Sequence, residues 1–112
     1  MSSTPGFNLE ADEPEGDRVS IRVKGELDMA ATPTLTQAIV GTTGVERIHL
    51  DLSGVTFLDS SAIGALVASG REIGEKGIRL EIGPRSDIVA RVLQITGLDE
   101  SSEAFDVLPA DG

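Results

Sequence analysis

Three stretches of this chain alternate apolar and polar residues with a period of two, and helix-length segments separate them, an order that few folds accommodate. Val19, Ile21 and Val23 share one face, opposite Arg18, Ser20, Arg22 and Lys24. Ile48, Leu50 and Leu52 repeat the pattern opposite Arg47, His49 and Asp51, and Ile78, Leu80 and Ile82 form the third row. Each row reads as a strand with one buried and one wet face.

The segments between them carry helical spacing. After Gly25-Glu26-Leu27-Asp28, Pro33 stands at a first helical position, and Leu35, Ala38 and Ile39 predict a helix over 32–41. A loop is expected from Ser53 to Asp59, then a helix from Ser60 to Lys76 with Ile63, Leu66, Val67 and Ile73 on one face. Gly64 and Gly70 inside that helix each cost roughly 1 kcal/mol relative to Ala. Glycines kept at such a cost often admit a second backbone. Gly83-Pro84 predicts a turn, Ser86 a cap, and Ile88, Val89, Val92, Leu93 and Ile95 a broad helical stripe that Gly97 terminates. Residues 105–108 can supply a short edge strand. Parallel strands need long crossovers, and these helices provide them. The expected fold class is α/β: a single domain with a mixed β-sheet, parallel central strands and packed α-helices.

A chain of 112 residues holds one domain, expected over 18–108. Residues 1–17 read as a flexible acidic segment: Glu10, Asp12, Glu13, Glu15 and Asp17 lie among Pro5, Gly6, Pro14 and Gly16. Phe7 and Leu9 have strand spacing, so poor order is expected mainly over 10–17. Residues 109–112 are expected to fray. With three Phe and no Trp or Tyr, the core must be aliphatic. A net charge of -10 opposes attraction to nucleic acid and to anionic lipid. The absence of cysteine removes disulfides, thiol chemistry and Cys-ligated metals. No apolar run is long enough to span a bilayer and the first residues lack the features of a leader, so a cytoplasmic protein without membrane insertion is expected.

The usual catalytic sets are hard to assemble. His49 is the single histidine and, mid-strand among polar positions, reads as an exposed surface imidazole. Phosphate-binding loops and dinucleotide fingerprints are missing. Asp28, Asp51 and Asp59 fall at or near strand ends where a divalent cation could bind, but turn formation and capping account for isolated Asp residues there. No metal, cofactor or enzymatic activity is expected. Asp59-Ser60-Ser61 is more distinctive, stacking three capping residues at one helix start.

The stretch Asp51-Leu52-Ser53-Gly54-Val55-Thr56-Phe57-Leu58-Asp59-Ser60-Ser61-Ala62-Ile63-Gly64 closely resembles the signature of the STAS family, named for sulfate transporters and anti-sigma factor antagonists. Gly25-Glu26-Leu27-Asp28 before a helix is similar to a second recurring element of its bacterial members. The resemblance implies an anti-sigma factor antagonist that binds an anti-sigma factor serine kinase, a histidine-kinase-like ATPase. It implies phosphorylation on Ser60, the serine directly after the motif aspartate, and reversal by a serine phosphatase. Asp28, Asp59, Ser61, Ile63 and Gly64 are the implied partner-binding residues. Sigma-dependent transcription would be regulated indirectly, without nucleic-acid contact. Ala62 replaces a glycine common in the family, and the chain ends soon after its last helix where many members continue. A STAS subunit of a lipid-transport ATP-binding cassette complex and a small-ligand-sensing module are the alternatives.

Overall fold

Each alternating row becomes a strand and each intervening segment a helix. The computed structural model describes residues 2–4 and 6–109, in the order β1 (Ser2–Thr4), β2 (Phe7–Ala11), β3 (Arg18–Leu27), α1 (Thr32–Val40), β4 (Arg47–Leu58), α2 (Ser60–Gly74), β5 (Arg79–Arg85), α3 (Asp87–Ile95) and β6 (Asp106–Val107). All six strands form one sheet whose spatial order follows the chain. β1, β2 and β3 pair antiparallel, whereas β3 through β6 run parallel, joined by the three helices as crossovers. The result is a mixed α/β sheet with parallel central strands.

One face of the sheet is apolar. Ile21, Ile48, Leu50, Leu80 and Ile82 are buried there, and they join Leu35 and Ile39 of α1, Leu66 and Ile73 of α2, and Val89 and Leu93 of α3 in one continuous core. Each such side chain contributes about 1.5–3 kcal/mol on removal from water. Phe105, fully buried, closes the core near the chain's end. The buried face of α3 centres on Val89 and Leu93, which leaves Ile88 and Ile95 exposed at the margin of the expected stripe.

Both central strands outrun their alternating rows. β4 continues to Leu58 where a loop from Ser53 was expected, because two bulges interrupt its period. Arg22 pairs with Asp51 but Lys24 with Gly54, and Gly25 pairs with Val55 but Glu26 with Phe57. Each shift inserts one residue in β4, so the inward positions become Leu52, Val55 and Leu58, spaced by three rather than two. β3 likewise reaches Leu27. Gly83-Pro84 is a bulge inside β5 instead of a turn: Leu50 pairs with Ile82 and Leu52 with Arg85. A bulge is one of the few places a strand tolerates proline.

Other expectations change as well. The acidic stretch expected to be poorly ordered forms the end of β2 and a hairpin into β3, with Asp12 N–H donating to Ser20 O at 2.9 Å and Glu15 and Arg18 exchanging backbone bonds. Arg22 explains this, reaching Glu10 at 2.9 Å and Asp12 at 3.1 Å. The expected fraying of 109–112 falls largely on residues outside those described. α2 stops at Gly74 and α1 at Val40. Ser86 holds the cap position of α3, but its hydroxyl is buried and makes no bond to the helix. Gly97, at φ +75°, ends α3 as expected, and Leu98 N–H donates to Leu93 O at 2.8 Å.

The opposite sheet face is polar. Arg18, Arg47 and Arg79 align across β3, β4 and β5. Glu81, its side chain only 5% exposed, lies 3.6 Å from Arg18, 3.5 Å from Arg47 and 3.0 Å from His49 Nδ1. His49 is therefore no free surface imidazole. Its ring sits over Gly83, where any Cβ would collide with it, and is largely covered.

Candidate functional site

Strand pairing brings the site together. Leu27 and Leu58 are partners at the carboxyl ends of β3 and β4, and the next residue, Asp59, donates its N–H to Leu27 O at 3.4 Å. The chain then turns into α2. Carboxyl ends of parallel strands are where such folds usually meet their ligands.

Asp59 is the N-cap of α2, with extended backbone at φ -111°. Its Oδ1 accepts the Ser61 hydroxyl at 2.6 Å and the Ala62 N–H at 3.1 Å. The Ser61 hydroxyl holds the Asp59 carboxyl below the usual carboxylate range; partial desolvation opposes this, and the N–H groups of Ala62, Ser61 and Met29 add to it. An ionised cap is thus favoured at neutral pH.

The two adjacent serines are chemically alike in the sequence and different in the structure. Ser61 is half-buried, its hydroxyl committed to Asp59. Ser60, the first residue of α2, is exposed. Its hydroxyl stands where the unpaired N–H groups and dipole of a helix start favour negative charge.

Asp28 closes the neighbouring turn. Its Oδ1 accepts the N–H groups of Ala30 at 3.0 Å and Ala31 at 3.2 Å, shaping the entry to α1, whose own N-cap Ala31 offers no side-chain bond. Asp28, Asp59, Ser60 and Ser61 accordingly share one rim. Gly64 is exposed on the next turn of α2, with open space where a Cβ would stand. Of the two glycines where a backbone approach is expected, only Gly70 has one: a Cβ there would collide with the Ala104 carbonyl oxygen. Ile63 turns into the core, 8% exposed.

Asp51 does not join the rim as a ligand: its Oδ1 accepts the Ser53 N–H at 2.9 Å and hydroxyl at 2.6 Å. Among the described residues no group of three carboxylates or histidines could hold a metal ion. No helix among them is long and apolar enough to cross a membrane. Two open hollows, one lined by Arg71, Gly74, Ile78 and Arg79 and the other by Gly16, Thr43, Val45 and Lys76, lie at the other end of the strands.

Sequence patterning alone does not single out Met29 and Phe57. Met29 is 73% exposed in the Asp28 turn, and Phe57 is 45% exposed just before Asp59. The available signal was an apolar residue in each case that falls outside any strand or helix period.

The chain resembles known proteins along most of its length. It is 28% identical over 103 residues to the anti-sigma-B factor antagonist of Listeria monocytogenes, covering 90% of each chain. A crystal structure of an anti-sigma factor antagonist from Mycobacterium paratuberculosis superposes with a TM-score of 0.76 at 28% identity, covering 97% of this chain and 91% of that one. The Bacillus cell fate determinant SpoIIAA in its phosphorylated form shares the fold, with a TM-score of 0.66 at 22% identity over 93% of this chain and 94% of that one. The STAS domain family matches residues 8–109, and with a signature segment that forms the rim around Ser60, this chain belongs to that family.

Proposed function

We propose that this chain is an anti-sigma factor antagonist of the cytoplasm, a binding protein rather than an enzyme, that is switched off by phosphorylation of Ser60. The observation that carries this reading is the contrast between the two serines: Ser60 is exposed at the start of α2 while Ser61 is tied to Asp59. The names of the similar proteins from Listeria and Mycobacterium support the antagonist role, and the phosphorylated state of the Bacillus protein supports the modification.

The partner in this reading is an anti-sigma factor serine kinase of the histidine-kinase-like ATPase type. The Ser60 oxygen attacks the γ-phosphorus of ATP, the bond to the bridging oxygen breaks, ADP leaves, and the hydroxyl proton passes to a base on the kinase. Binding of the unmodified antagonist releases the sigma factor, and a serine phosphatase restores that form by hydrolysis. The added charge, about -1.5 to -2, meets the dipole of α2 and leaves the helix intact. A complex that buries Asp59 beside a neutral hydroxyl would reject the same charge, through repulsion and desolvation. The switch therefore acts on affinity rather than on structure.

The test is incubation with the anti-sigma factor kinase of the source organism and ATP, followed by mass spectrometry of the peptide containing Ser60. Phosphate on Ser60, abolished by Ser60→Ala, is expected. Phosphate mainly on Ser61 or Thr56 would overturn the assignment, and none at all would favour the lipid-transport subunit.

A further inference from the structure

The rim beside Ser60 carries an exposed thioether that neither the fold nor the cap requires. Met29 is 73% exposed, and Ala30 next to it is also exposed, so this turn spends an apolar side chain on solvent. Its backbone is nonetheless well fixed. The turn is closed by Asp28, whose carboxylate takes the N–H groups of Ala30 and Ala31, and it lies against the start of α2, since Asp59 N–H donates to Leu27 O only two residues earlier. An apolar side chain held out by a rigid turn loses little backbone entropy on docking. Methionine is also the side chain best able to adapt to an irregular pocket.

We propose that Met29 is an apolar anchor that seats in a pocket on the anti-sigma factor kinase, and that basic side chains border this pocket. The basic border follows from charge complementarity: Asp28 adjoins Met29 in the chain, Asp59 adjoins Ser60, and the protein as a whole carries a net charge of -10. The inference rests on the proposed function and adds to it a residue that the family signature does not include. Ile95 supplies an internal comparison. It is as exposed as Met29, at 76%, but ends α3 at the opposite rim, away from Ser60.

Isothermal titration of the kinase, with the wild type, Met29→Ala, Ile95→Ala and Asp28→Ala at several salt concentrations, tests this. Both apolar variants remove side chains that are mostly in water, so both should melt with the wild type. Met29→Ala should weaken binding at least tenfold while keeping the wild-type salt dependence, and Ile95→Ala should bind normally. Asp28→Ala should flatten the salt dependence, since it removes a charge. A Met29→Ala affinity within twofold of wild type, or equal losses in Met29→Ala and Ile95→Ala, would overturn the anchor while leaving the proposed function standing. A wild type that neither binds nor is phosphorylated would overturn both. A wild-type dimer that Met29→Ala converts to monomer would assign the face to a second copy of this chain and overturn the proposal.

Discussion

Helix α2 contains three glycines whose replacement by alanine should give opposite results, although each change adds the same methyl group to the same helix. At Gly64 and Gly74 a Cβ would enter open space. Alanine there should recover the helical preference that glycine forfeits, roughly 0.5–1 kcal/mol. For a domain of this size that is a rise in Tm of about 2–6 °C, smaller at Gly74, where the helix ends. At Gly70 a Cβ would overlap the carbonyl oxygen of Ala104 and lie 2.9 Å from its carbon. Ala104 and its neighbour Phe105 are both buried, so that segment cannot retreat without disturbing the core. Overpacking of this kind costs about 1–3 kcal/mol, which exceeds the gain in helix preference and predicts a net loss of up to about 2 kcal/mol. Urea denaturation followed by circular dichroism would measure all three. A Gly70→Ala variant as stable as Gly64→Ala would refute the close approach of the 104–105 segment to α2. Gly64 also faces outward one turn beyond Ser60, so Gly64→Ala should bind the kinase less well while being the more stable protein.

Ser60→Asp should keep the fold, since negative charge at a helix start stabilises by roughly 0.3–1 kcal/mol, yet lose about two orders of magnitude in affinity for the kinase, equivalent to about 2.8 kcal/mol; unchanged calorimetric affinity in a folded variant would refute the electrostatic switch. Asp28→Ala should weaken kinase binding in a protein that still folds, at a stability cost of about 0.5–2 kcal/mol for the lost turn bonds, whereas normal affinity with a large fall in Tm would make Asp28 purely a turn-forming residue. Asp59 has a folded-state pKa below its unfolded value, so the stabilisation it contributes is present above the ordinary carboxylate range and is lost as pH falls through the folded pKa. Ser61→Ala, which removes the largest cause of that depression, should therefore shift the acid-unfolding limb to higher pH, and an unmoved limb would count against the bond between Ser61 and Asp59.

The sequence made some of this legible and hid the rest for definite reasons. The strand rows could be read because one sheet face is buried and the other is not, which forces period two at Val19, Ile21 and Val23 and again at Ile48, Leu50 and Leu52. The last third of β4 could not, because two bulges convert its inward spacing to three. The hairpin over 10–18 depends on Arg22 reaching back to Glu10 and Asp12, a contact that composition cannot reveal. Glu81 is one polar residue of an alternating row in the sequence, and its burial arises only when Arg18, Arg47 and His49 converge on it from two other strands. At the site, the order Asp59-Ser60-Ser61 announced a cap. Which serine the cap would occupy was settled by geometry, through the bond from Ser61 to Asp59. Nothing about a methionine in a turn indicates that it stays in water, as Met29 does.

The parallel pairing of β3 with β4 has a consequence for when the rim exists. Arg18 meets Arg47 and Leu27 meets Leu58, contacts between residues about thirty positions apart that form only after the intervening helix has been laid down. A peptide cut from around Ser60 would carry the hydroxyl and its capping aspartate but neither Asp28 nor Met29. A nascent or misfolded chain would be equally incomplete. Any protein that reads both halves of this rim is thereby reading whether the crossover has been completed.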